Sequence, residues 1–77
     1  MSSMHEDGEK LAEIIYSKLK ESENGELSFN EIMDIYDSFG EPIFRKTEFV
    51  CWGIVYAKAD VKHERDEKGY KYIKLKS

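Results

Sequence analysis

The final seventeen residues, VKHERDEKGYKYIKLKS, place alternating side chains on either side of one glycine-bearing turn, and such a segment has little choice but to fold back on itself. Glu67-Lys68-Gly69 is a three-residue connection whose glycine can take the left-handed position that closes a bulged hairpin. The turn predicts a register: Asp66 opposite Tyr70, Glu64 opposite Tyr72, His63 opposite Ile73 and Val61 opposite Leu75. Val61, Ile73 and Leu75 then share one face, and Lys62, Tyr70, Tyr72 and Lys74 share the other. A slip of one residue would scatter the apolar set, so the pattern and the turn support the same pairing.

A chain of 77 residues holds one small core and buries roughly 60% of its unfolded surface. Its single cysteine excludes an intramolecular disulfide framework and a cysteine-rich metal cage. No apolar run approaches the roughly 20 residues of a membrane span, and MSSMHEDGEK lacks the apolar core of a signal peptide. The expectation is a cytoplasmic domain without membrane contact. The net charge of −4 is unevenly divided: residues 1–42 carry −8, residues 43–60 carry +1 and residues 61–77 carry +3. An anionic partner responds to the local patch within a Debye length, so this polarity matters more than the total. The plainer alternative is that both charge runs only keep a small domain in solution.

Residues 1–6 read as a disordered tail and 7–77 as a single domain. A first helix is expected from an Asp7 N-cap to about Ser22, with Leu11, Ile14, Ile15 and Leu19 as its apolar stripe and Asn24-Gly25 as its stop. Glu26-Leu27 suits a short extended segment. Ser28 and Glu31 stand as S-x-x-E, a capping box that opens a second helix. Phe29, Ile32, Met33, Tyr36 and Phe39 follow at helical spacing, and Gly40 ends the run. Pro42 suits the first turn of a third helix over about Glu41 to Ala59. That helix is apolar almost all round. Ile43, Phe44, Val50, Cys51, Ile54, Val55 and Ala57 fall on the side expected to meet the core. The remaining arc mixes Arg45, Lys46, Phe49, Gly53, Tyr56 and Asp60, with Trp52 at its edge, and is either covered by the hairpin or meets a partner.

Helix, short extended segment, helix, helix and hairpin, in that order from about Asp7 to Lys76, resemble the winged helix-turn-helix family. The resemblance lies in element order and length, and no diagnostic motif accompanies it. It implies an α+β fold in which the third helix docks on double-stranded DNA and the hairpin, the wing, touches its backbone. By position, Arg45, Lys46 and Thr47 would approach the groove, while Lys62, Arg65, Lys68, Tyr70, Lys71, Tyr72 and Lys74 would belong to the wing. Long cations neutralise phosphates and release counterions, and tyrosines can donate to phosphate or stack on a base. Tyr70 and Tyr72 could instead only pair with Asp66 and Glu64 across the hairpin. The third helix has no Asn or Gln to read an adenine edge. The function expected is a small transcriptional regulator. Phe49, Trp52 and Tyr56 offer an alternative contact, for a protein partner or a two-fold homodimer.

Two other chemistries are weaker. KESENGELSFNE (20–31) resembles an EF-hand calcium loop, with Ser22, Asn24, Gly25, Leu27, Ser28 and Glu31 at its third, fifth, sixth, eighth, ninth and twelfth positions. Lys20 stands where the first carboxylate ligand belongs, and the capping box explains Ser28 and Glu31 without a metal. His5, His63 and Cys51 have no catalytic partner at a recognisable spacing, and Cys51 reads as a core residue and His63 as a partly buried ring. No catalytic residue, metal or cofactor is expected.

Overall fold

Helix α1 (Met4–Glu21), strand β1 (Glu26–Leu27), helices α2 (Phe29–Ser38) and α3 (Arg45–Ala57), and strands β2 (Val61–Arg65) and β3 (Lys71–Leu75) make up the computed structural model, which describes residues 3–76. The class is α+β, with three helices and an antiparallel sheet ordered β1-β3-β2. The hairpin has the expected register, Val61 opposite Leu75, His63 opposite Ile73 and Glu64 opposite Tyr72. Gly69 closes it at φ +88°, a backbone angle that strains any side chain. The extended segment at Glu26-Leu27 is a strand, pairing Glu26 with Lys74 and Leu27 with Ile73. β3 is therefore the central strand. Among the described residues, no helix is long and apolar enough to cross a membrane.

Two expectations about where helices start need correction. α1 begins four residues before the expected helix, because Ser3 is its N-cap and accepts from the Glu6 N–H at 3.0 Å. Residues 4–6 are thus helical rather than a disordered tail, while Met1 and Ser2 lie outside the described residues. Asp7 sits in the first turn, where a carboxylate meets the positive end of the helix dipole. α3 begins at Arg45, not Glu41, and Pro42 lies in the connection. Its start falls where the Thr47 hydroxyl can accept from the Phe44 N–H, at 3.3 Å, leaving one fewer orphan donor. Phe44 is consequently outside the helix and 55% exposed rather than in the core, and Ala57 is exposed as well. α2 opens on the expected capping box: Ser28 N–H donates to Glu31 at 3.0 Å and Glu31 N–H to Ser28 at 3.1 Å. Ser22 and Asn24 of the calcium-loop-like stretch hydrogen-bond to one another, and Asn24 accepts from the Glu26 N–H, which fixes the turn into β1.

Leu11, Ile15 and Leu19 of α1 form the centre of the core, with Leu27, Ile32, Cys51, Val55, Val61 and Ile73 closing round them from every other element. Ile14 departs from its expected stripe and is exposed. Burial, with the Glu48 carboxylate adding to it, pushes the Cys51 thiol up to about 12, in keeping with a packing role. The tightest helix contact is between α1 and α3, and Gly8 permits it. A Cβ at Gly8 would lie 2.6 Å from Val50 Cβ and 2.9 Å from the Thr47 carbonyl oxygen.

Gly8→Ala should therefore destabilise the fold by about 1–3 kcal/mol, the overpacking cost exceeding the helix-propensity gain. Gly53→Ala, on a helix surface with nothing within 4 Å, should stabilise by about 0.5–1 kcal/mol. Urea unfolding of the two variants checks the opposite signs.

Candidate functional site

The sheet and α2 flank a groove of about 830 Å³ against α3. α2 contributes Phe29, Met33 and Tyr36 because its apolar arc is broader than the core can use: Ile32 and Ile35 are buried, whereas those three are only half-buried. α3 contributes Glu48, Trp52 and Tyr56, which share one row at helical spacing. The hairpin contributes His63, Arg65 and Lys71, all on the face that carries Ile73. That face begins as core and, towards the hairpin tip, passes beyond the helices and becomes a groove wall.

The side chains along the groove touch in sequence. Trp52 Nε1 donates to the Tyr36 hydroxyl at 2.7 Å, and that hydroxyl donates to Glu48 at 3.1 Å. The Trp52 and Tyr56 ring centroids lie 5.7 Å apart with their planes inclined by 46°, and Tyr56 and His63 form a T-shaped pair with centroids 3.8 Å apart. Burial raises the Tyr36 hydroxyl well above its ordinary value; the Trp52 donor opposes this and the Glu48 charge adds to it. Desolvation lowers the His63 pKa, and the nearby Lys71 ammonium lowers it further. At the tip of the hairpin Tyr70 stacks on Phe29, centroids 4.9 Å apart and planes within 20°.

The expected DNA-contacting residues do not share one surface, and Tyr70, expected beside Lys62, Tyr72 and Lys74, instead stacks on Phe29. Arg45 and Lys46 are exposed at the start of α3, and Arg45 lies on the row of Trp52 and Tyr56. Thr47 does not join them, because it is 0% exposed and its hydroxyl caps the helix. Arg65 and Lys71 face the groove, Arg65 held by a 2.8 Å bond to the Gly69 carbonyl. Lys62, Tyr72 and Lys74 point to the opposite face of the sheet, where Lys62 pairs with Glu64 at 3.1 Å and Lys74 lies between Lys62 and Glu26. Lys68 is exposed in the turn, and the negative charge of neighbouring Asp66 is satisfied by the Lys68 and Tyr70 N–H groups, both at 2.9 Å.

The aromatic arc expected on α3 also divides. Phe49 is 72% exposed on the outer side, while Trp52 is half-buried and turned towards Tyr36. The His63 ring, expected to be partly buried, reaches solvent at the groove but packs against Tyr56 closely enough to be partly desolvated. Sequence reasoning missed Phe29, Tyr36 and Glu48 as groove residues. The surplus of large apolar side chains on α2 was the available signal. No protein-family model, curated protein or solved structure matches this chain.

Because the folded state favours neutral His63, its contribution to stability is whole above the unfolded value of about 6.5. It declines as pH falls through that value towards the folded pKa. A ring-proton NMR titration should place the His63 midpoint below about 6.5, and Lys71→Gln should return it part of the way.

Proposed function

We propose that this chain is a winged-helix module that binds double-stranded DNA, with α3 and the hairpin wing turned to the duplex. The observation that carries this reading is the register of the hairpin, which puts Arg65 and Lys71 on the side of the molecule to which the Arg45, Trp52 and Tyr56 row of α3 is open. Lys46 at the start of α3 and Lys68 in the hairpin turn are further exposed cations, and neither is engaged in an ion pair among the described residues. Most of the acidic load lies elsewhere, with Glu13, Asp34, Asp37 and Glu41 exposed on α1, α2 and the connection that follows α2, while Glu48, Asp66 and Glu67 are exposed beside these cations and reduce their net field. Such a polarity orients a small domain on a polyanion even though its total charge is negative. Affinity would come mainly from phosphate neutralisation, in keeping with an α3 that offers no amide side chain for base reading. A role as a small regulator of transcription follows from that activity.

A second reading is favoured by Phe49. A phenylalanine 72% exposed in the middle of a helix, with Phe44 55% exposed before it, is an apolar surface suited to a protein partner.

The two readings separate in mobility-shift assays with a generic duplex. Binding at low salt should weaken steeply as salt is added, and Lys46→Glu together with Lys68→Glu should lower the logarithmic salt slope by about 2. Absence of any duplex binding at low salt overturns the DNA reading. Phe49→Ser should leave the salt slope unchanged. Under the second reading the same change abolishes co-purification of a partner.

A further inference from the structure

The groove has polar groups at both ends and aromatic rings between them. From the contacts above, its order is Glu48, Tyr36, Trp52, Tyr56, His63 and then Lys71, with Arg65 on the same wall as Lys71. One end offers a carboxylate acceptor, and the other offers two cations. A volume of about 830 Å³ lies in the range of small-molecule sites, and it opens to solvent rather than into the core.

We propose that this groove is a nucleotide site: a single base lies against Trp52 and Tyr56, and its phosphate meets Lys71 and Arg65. The fit follows from chemistry at each point. The indole and phenol rings are inclined by 46°, so a base of any kind can stack on one of them and meet the other at its edge. Base edges carry N–H donors, and Glu48 has a second carboxylate oxygen beyond the one that Tyr36 engages. Lys71 makes no ion pair among the described residues, and its charge already bears on the His63 ring within the groove. Arg65 spends one donor on Gly69 and retains others of its guanidinium fork. Glu64 does not cancel these cations, because strand alternation turns its carboxylate to the opposite face of the sheet, where it pairs with Lys62. A fully apolar ligand would leave the lysine and arginine without a partner. A cationic ligand would be repelled by them.

The inference deepens the nucleic-acid reading and relies on it for the source of the nucleotide, an unstacked residue of a strand. A free mononucleotide has the same chemistry, and the test distinguishes the two.

Trp52 is the only tryptophan in the chain, so its emission reports the groove alone. Excitation at the red edge of indole absorption avoids the bases themselves. Titration with a short oligothymidylate should quench Trp52 in a saturable way, thymidine monophosphate should do so at higher concentration, and thymidine about tenfold more weakly than its monophosphate for want of the charged contact. Lys71→Glu should weaken the oligonucleotide by about tenfold or more, and Tyr56→Ala should weaken all three, with circular dichroism verifying that each variant is folded. Saturation by the monophosphate at the lower concentration would assign the site to free nucleotide instead of a strand. Unaltered Trp52 emission with every probe, or equal quenching in wild type, Lys71→Glu and Tyr56→Ala, overturns the nucleotide site. Duplex binding in mobility-shift assays without Trp52 quenching would overturn it while leaving the DNA reading intact. Trp52 quenching by the monophosphate without duplex binding would do the reverse.

Discussion

The position of β3 between β1 and β2 is the constraint on which the rest of the molecule depends. β3 is the last element in the chain, yet it pairs on one side with the strand that leads directly into α2 and on the other with the strand that leaves α3. Ser28 is at once the residue after β1 and the N-cap of α2, so there is no slack between sheet and helix. On the other side α3 reaches β2 through a turn of three residues, closed by a bond from Val61 N–H to the Lys58 carbonyl. Bonds from Leu75 N–H to Gly25 and from Lys76 N–H to Asp60, each 2.8 Å, extend the clasp to both flanking turns. Tyr16 of α1 adds to it, donating to Asp60 at 2.7 Å, a bond that holds the Tyr16 pKa above its ordinary value. Seating β3 therefore sets the spacing of α2, α3 and the hairpin together. The groove is the space they enclose.

The features that were legible in the sequence are those fixed by local chemistry. Hairpin register follows from Gly69 and the two-residue alternation, both contained in seventeen residues. The α2 boundary follows from Ser28 and Glu31, whose reciprocal bonds span three residues. The same S-x-x-E signature stands at Ser3 and Glu6, and the tail-like composition around it obscured a cap that half of that pattern forms. The start of α3 was misread because Pro42 is compatible with a first turn. The deciding group was a hydroxyl three residues beyond the true boundary. Thr47 consequently passed for a surface residue when it is buried beside the α1–α3 crossing.

What was not legible depends on facing elements. At helical spacing Phe29, Met33 and Tyr36 are indistinguishable from a core stripe, and only the distance between α2 and the sheet turns them into a wall. The cations of the hairpin read as one patch because charge was counted along the chain. Strand alternation divides them, placing Lys62 and Lys74 on the outer face and Arg65 and Lys71 over the groove. Alternation was already available from the register, so this division could have been drawn from the sequence. Recognising what the inner pair faces could not.

The bond from Trp52 to Tyr36 bears on why the groove persists rather than closing. An apolar cleft of this width between two helices would gain by collapse, since each buried methylene contributes about 0.8 kcal/mol. Moving α2 onto α3 would displace the Tyr36 hydroxyl from between the indole N–H and Glu48, leaving polar groups unpaired in a drier environment. The same displacement would bring Met33 towards the hairpin wall, which Phe29 already meets through Tyr70, and Lys71 would lose solvent. Both walls are thus held apart by polar groups whose desolvation opposes closure, and an occupant that supplies partners to those groups would be accepted where apolar collapse is resisted.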